Sequence, residues 1–190
     1  MADGLDGRRI IVGVTGGIAA YKTATLVSRL AQAGAEVTVC MTDAATKFIT
    51  PLTFQSLSGK PVYTSAWEHI EAHDPQHINL ATNADMAIVA PASMDFLAKL
   101  TAGMADDVVS LVLSAIDRST TPVLLAPAMN AVMWSQPATQ RNIGQLHADG
   151  FETIGPDEGW QACRAVGPGR MSEPEAILER ITSRLNTSSR

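Results

Sequence analysis

The apolar positions of this chain fall into short unbroken runs separated by amphipathic stretches. Arg9-Ile-Ile-Val-Gly-Val14 is apolar after its first residue, the pattern of a strand buried on both faces at the centre of a parallel sheet. Glycines follow at once, then a helical pattern from about residue 18 to residue 33, which Gly34 closes as a C-cap. Residues 37–41 form the next strand, so strand, glycine turn, helix and strand make one βαβ unit with a right-handed crossover. A helical stretch at 44–49 is broken by Pro51, a short helix resumes at 52–57, and 61–63 is a short strand. Residues 67–76 are polar, hold three acids and read as a surface loop.

Regular structure returns with a strand at 86–90 that stops at Pro91, helices at 93–101 and 106–116, and a buried strand at 123–126 closed by Pro127. A helix at 137–149 ends at Gly150, residues 151–154 give the last strand, and 174–185 the last amphipathic helix. Strands alternating with helices predict an α/β fold: a Rossmann-like, doubly wound parallel sheet in three α/β/α layers, in a single domain.

Composition narrows the class. A chain of 190 residues, 46% apolar and 17% charged, can bury one full-sized core. A formal net charge of −5 disfavours a nucleic-acid groove or an anionic membrane surface as partner. No run approaches the length of a membrane span, the N-terminus lacks the apolar core of a signal peptide, and two cysteines make no disulfide framework. These features predict a cytoplasmic protein. An aromatic content of 5% hints at a core or site completed by other subunits.

In an open parallel sheet, ligands bind beyond the carboxyl ends of the strands. Four such ends converge here: Thr15-Gly16-Gly17-Ile18, Thr42-Asp43-Ala44, Ala90-Pro91-Ala92-Ser93 and Pro127-Ala128-Met129-Asn130. Gly16 and Gly17 let backbone N–H groups and a helix N-terminus approach a phosphate, although glycines alone fit a ligand-free turn equally well. Gly13-Val-Thr-Gly16-Gly17 does not satisfy G-x-G-x-x-G, and the P-loop pattern that would use Lys22 is absent. A mononucleotide such as FMN fits better than a dinucleotide.

Further motifs occur in order: Thr15-Gly-Gly-Ile-Ala-Ala-Tyr-Lys22, His77-Ile-Asn-Leu80, Ala90-Pro-Ala-Ser93, Ala102-Gly-Met-Ala-Asp-Asp107, Pro127-Ala-Met-Asn130 with Met133, and Ala162-Cys163 leading into Gly167-Pro-Gly-Arg-Met171. Together they closely resemble the homo-oligomeric flavin-containing cysteine decarboxylases, and among them the phosphopantothenoylcysteine decarboxylases. The resemblance spans about residues 9–185. It implies a flavin-binding decarboxylase domain over 9–185, after an extension at 1–8 and before a disordered tail at 186–190. In bacteria such a domain is usually the N-terminal half of a bifunctional protein, so the resemblance implies either a decarboxylase domain joined to a phosphopantothenoylcysteine synthetase domain or a monofunctional version.

The resemblance implies FMN as cofactor, with Gly16, Gly17, Ile18, Thr42, Ser93, Met94, Asp95 and Met129 around it. It makes His77, Asn130 and Cys163 catalytic, and Asn130, Ala162 and Cys163 substrate-binding. Taken singly, Asn130 could simply be a helix N-cap, Ser93 and Asp95 could cap a helix, and a histidine is more often structural. Cys163 sits in a Gly- and Pro-rich loop, whereas Cys40 ends an apolar strand and reads as packing. Arg164 departs from the glycine expected after the cysteine. Asp106 and Asp107 fit helix N-terminal acids better than metal ligands, and no metal is expected.

The implied reaction converts 4′-phosphopantothenoyl-L-cysteine to 4′-phosphopantetheine. The sulfur-bearing carbon is oxidised to a thioaldehyde, carbon dioxide leaves to give an enethiol, and reduction follows with Cys163 supplying a proton. The family's flavin sites lie at subunit contacts, in trimers or dodecamers of trimers. The alternatives are a peptidyl-cysteine decarboxylase and a non-catalytic FMN-binding regulatory subunit of the same fold.

Overall fold

The computed structural model describes residues 4–68, 75–162, 164 and 166–187. The chain begins with β1 (Arg9–Val14), α1 (Ala20–Gln32), β2 (Glu36–Met41), the short helices α2 (Asp43–Thr46) and α3 (Pro51–Ser58), and β3 (Val62–Tyr63). Next come α4 (Gln76–Asn83), β4 (Met86–Ala92), α5 (Met94–Thr101), α6 (Val108–Ser114) and β5 (Val123–Pro127). The last part holds α7 (Ala131–Ser135), α8 (Pro137–Ala148), β6 (Glu152–Thr153), β7 (Asp157–Trp160), β8 (Val166–Arg170) and α9 (Pro174–Thr187).

Six strands pair in parallel in the order β3-β2-β1-β4-β5-β6. The order reverses between β1 and β4, which opens a crevice at their carboxyl ends. Strand alternation sends Ile10, Val12 and Val14 to one face, where Leu26 and Leu30 of α1, Phe54 of α3 and Ile177 of α9 cover them. Ile11, Val89 and Leu125 face the other way, against Phe96 of α5, Val109 of α6 and Ile143 of α8. Each large aliphatic side chain buried this way contributes about 1.5–3 kcal/mol. Gly13 is required by that packing, since a Cβ there would lie 2.6 Å from Val109 Cγ1.

Several elements depart from the sequence reading. β4 runs through Pro91 to Ala92 instead of stopping at the proline, because its pairing with β5 shifts register between Val89 and Ala92. The helix expected at 44–49 is one turn of α2, and Pro51 starts α3 from its N1 position. Gln76, read as the end of a surface loop, is the buried first residue of α4, and its amide donates to Glu68 O at 2.9 Å. Residues 152–153 are not the last strand. β7 and β8 follow as an antiparallel hairpin, whose β7 sequence Asp-Glu-Gly-Trp offers no apolar run to announce it. α9 continues to Thr187, and Leu5 of the N-terminal segment is buried in the core.

Candidate functional site

Strand ends become site walls because each runs into a capped helix. Thr42 Oγ1 accepts from Ala45 N at 3.2 Å to cap α2, and Ser93 Oγ accepts from Phe96 N at 3.3 Å to cap α5. Asn130 Oδ1 accepts from Val132 N at 2.8 Å and caps α7. That cap uses the oxygen of the amide, whereas Nδ2 is its donor half. The N-cap role and a ligand role are therefore compatible at Asn130.

α1 differs from these three. Its N-cap position is Ala19, no side chain caps it, and no acid stands in its first turn. The N–H groups of Ala20, Tyr21 and Lys22 donate back to the carbonyls of Gly17, Ile18 and Ala19, so the turn continues into the glycine loop and carries the positive end of the 13-residue helix there.

The β1 and β4 ends are buttoned together by Thr15, which is 1% exposed. Its hydroxyl donates to Pro91 O at 2.6 Å and accepts from Ser93 N at 3.0 Å. Gly16 packs so closely on α2 that a Cβ would lie 2.6 Å from that of Ala44.

Two adjoining cavities fill the crevice. The larger, about 700 Å³, is lined by Gly16, Thr42, Ser93, Met94, Asp95 and Met129 among others. The smaller, about 450 Å³, has Gly17, Ile18, Met129, Asn130 and Ala162 in its walls, with Tyr21, Trp160 and Arg170. Met129 and Ala128 belong to both. The structure therefore gathers every expected cofactor residue, together with Asn130 and Ala162, around one cleft.

His77 is half-buried at the start of α4 and lines neither cleft cavity. A third cavity, about 380 Å³, lies toward the opposite edge of the sheet beside Arg9, Lys60 and Asn83, and His77 is not in its walls either. Cys163 lies outside the described residues. Arg164 has φ +64°, a left-handed backbone that favours glycine.

Several charged side chains around the cleft pair with one another. Lys99 Nζ lies 2.8 Å from both Asp106 Oδ1 and Asp107 Oδ2. The hydrogen bond to Asp106, then that to Asp107, raises the Lys99 ammonium above its ordinary range, and Lys99 holds Asp106 below the usual carboxylate range. Asp107 also forms a capping box with Ser110, so helix capping accounts for it, and no cluster among the described residues is arranged to hold a metal ion. Lys22 is held by other partners: its buried Nζ donates to Met171 O at 3.1 Å and to Glu173 Oε1 at 3.0 Å. The Lys22 hydrogen bond holds the Glu173 carboxyl below its usual range, and Arg170 pairs with the same carboxylate. Cys40 is fully buried, and desolvation pushes its thiol up to about 12, which makes it inert.

The sequence reading missed Thr15, Tyr21, Trp160, Gln161 and Arg170 as site residues. Thr15 and Arg170 stood inside quoted motifs, but Trp160 and Gln161 are brought in only by a hairpin that hydrophobic patterning does not reveal.

The cleft fits FMN. An uncapped helix N-terminus at the glycine loop suits a phosphate, and hydroxyls from Thr42 and Ser93 suit a ribityl chain. Met94 and Met129 offer soft apolar surface for a flavin ring.

Comparison with known proteins agrees with the geometry. The chain is 49% identical over 178 residues to the coenzyme A biosynthesis bifunctional protein CoaBC of Haemophilus influenzae, covering 94% of this chain and 44% of that protein. It is 46% identical to the CoaBC of Bacillus subtilis, covering 92% of this chain and 42% of that one. The chain therefore spans less than half the length of these relatives. Among solved structures, a PPC decarboxylase mutant complexed with pantothenoylaminoethenethiol superposes with a TM-score of 0.84 at 27% identity, covering 95% of this chain and 99% of that one. The FMN-dependent cysteine decarboxylase SpaF superposes with a TM-score of 0.84 at 30% identity, covering 98% of this chain and 99% of that one. The Flavoprotein family model matches residues 2–186, nearly the whole length, and the chain belongs to the Flavoprotein family.

Proposed function

We propose that this chain is an FMN-dependent decarboxylase that converts 4′-phosphopantothenoyl-L-cysteine to 4′-phosphopantetheine in coenzyme A biosynthesis. The observation that carries the reading is the single cleft. The uncapped start of α1, the caps Thr42 and Ser93, and Met129 surround one cavity, and Asn130 stands in the wall of the next.

Gly16, Gly17 and Ile18 hold the cofactor phosphate with backbone N–H groups. Thr42, Ser93, Met94, Asp95 and Met129 hold the rest. FMN bound there supplies a two-electron acceptor that returns to its starting state, so the overall reaction involves no net redox change. Asn130, with its oxygen committed to the α7 cap, donates from Nδ2 to the substrate carboxylate. The cysteinyl carboxylate cannot leave directly, since the electron pair of the breaking C–C bond would have no acceptor. Oxidation of the sulfur-bearing carbon places a C=S group β to the carboxylate, and that group takes up the pair as carbon dioxide departs. Cys163 enters on the sequence resemblance alone, as the proton donor when the resulting enethiol is reduced.

His77 handles charge near the substrate thiol and carboxylate. Because it lines neither cleft cavity of its own chain, we place it in the cleft of a second copy, in a trimer or a dodecamer of trimers. Ile18, Tyr21, Met133 and Trp160 are large and exposed at the cleft, as expected of surface that another subunit covers.

The test is a visible spectrum of the purified protein, followed by addition of 4′-phosphopantothenoyl-L-cysteine with measurement of carbon dioxide and 4′-phosphopantetheine. A yellow protein that forms both products is the expected result. A yellow protein that leaves this substrate untouched would point to a peptide-directed or regulatory relative, and failure to take up FMN would overturn the reading.

A further inference from the structure

The β7–β8 hairpin is not a loose flap over the smaller cavity. Its inner strand is tied to the turn that carries Asn130 by Met129 N donating to Gly169 O at 2.9 Å. Gly169 has φ +127°, and a side chain there would overlap Met129 O, so the two backbones meet at a position only glycine allows.

A second tie runs through one side chain. Gln161 follows β7 and is 7% exposed. Its Oε1 accepts from Ala131 N at 3.2 Å, at the residue directly after Asn130. Its Nε2 donates to Pro168 O at 2.9 Å and to Gly167 O at 3.3 Å on β8. One buried amide thus reads both halves of the cleft wall: the start of α7 with its oxygen, the hairpin strand with its nitrogen. A buried polar group so placed is orientation-specific, because neither end can be exchanged for the other without leaving donors facing donors.

We propose that Gln161 is a positioning residue that locks the β7–β8 hairpin onto the Asn130 turn and so fixes where the substrate carboxylate is held. The functional half of this statement rests on the decarboxylase reading above, whereas the structural half stands without it. Gln161 acts through Ala131 and the carbonyls of Gly167 and Pro168, and the carboxylate contact is made by Asn130.

Two variants test it on the full chain carrying FMN. Gln161→Met keeps length and volume but loses the three hydrogen bonds described above. Gln161→Glu keeps an acceptor for Ala131 N and loses both donations. In Gln161→Met, amide exchange in segments 131–134 and 166–170 speeds up about tenfold, the factor one lost hydrogen bond carries, while exchange in the β1 and β4 core is unchanged. KM for 4′-phosphopantothenoyl-L-cysteine rises about tenfold and kcat falls less, with FMN uptake and the flavin spectrum unaltered. Gln161→Glu recovers part of the KM loss.

Unchanged exchange in both segments of Gln161→Met overturns the proposal whatever the activity. A fall in kcat at constant KM also overturns it, since a merely structural lesion lowers the active fraction without moving KM. If the unmodified protein takes up FMN but leaves the substrate untouched, the decarboxylase reading fails, and the exchange experiment still decides the role of Gln161.

Discussion

Thr15→Val removes one oxygen and keeps the shape of the side chain. Thr15 is buried, and its hydroxyl serves two backbone groups of the β4 end, Pro91 O at 2.6 Å and Ser93 N at 3.0 Å. Valine leaves both without that partner where water cannot readily enter. Each orphaned group costs about 1–3 kcal/mol, so the pair predicts a loss of about 2–6 kcal/mol with packing preserved. For a domain of this size that corresponds to a fall in Tm of roughly 4–24 °C. The assay is urea and thermal unfolding of the FMN-free protein at one fixed protein concentration, because self-association would otherwise enter the comparison. Thr15→Ser keeps the hydroxyl and should recover most of the loss. A stability for Thr15→Val within about 0.5 kcal/mol of the parent, the range of neutral surface changes, would refute the claim that this hydroxyl joins the two strand ends.

Three further outcomes are expected. Gly16→Ala should weaken FMN uptake and cost about 1–3 kcal/mol of stability by overpacking against Ala44, and Gly16→Ala with Ala44→Gly should restore both; calorimetric titration with FMN checks the pair. The Glu173 carboxyl is held below its usual range in the folded protein by Lys22, so its contribution is present above the unfolded carboxylate value and lost as pH falls through the folded one. The Tm gap between the parent and Glu173→Gln should therefore be widest near neutral pH and shrink below about pH 4.5; a gap that is constant with pH contradicts the pairing. Arg164→Gly relieves a left-handed backbone strain of about 1–2 kcal/mol but loosens the unfolded chain by about 0.4–1 kcal/mol. A rise in Tm of a few degrees at most is expected by differential scanning fluorimetry.

Most of the sheet was legible because a buried parallel strand writes itself as an apolar run. Residues 9–14 and 123–126 announce β1 and β5 in that way, and the four strand ends point at one cleft from the sequence alone. The misses share a physical cause. Pro91 reads as a terminator unless one knows that a register shift spares its missing N–H from the ladder. β7 carries Asp157, Glu158 and Trp160 on a two-stranded ribbon with no core of its own, so nothing periodic marks it. Gln161 is a site residue only through contacts with residues 131, 167 and 168, and no local pattern encodes that meeting. The charged motif residues show the converse. Lys22 stands in the glycine-loop motif of the sequence, and in the fold its Nζ is taken up by Met171 O and Glu173, just before α9.

The two ends of the described chain lie side by side: a Cβ on Gly4 would come within 3.0 Å of Asn186 Oδ1, near the end of α9. α9 starts beside the cleft, where Lys22 grips Glu173, and runs down to the edge from which β1 departs. The described ends thus meet near the start of β1, whereas the cleft lies beyond the carboxyl ends of the strands. A fluorescent protein, an affinity handle or a second enzyme grafted there would leave the mouth of the cleft clear. A circularised chain with new ends cut at an exposed loop should retain the same catalytic face.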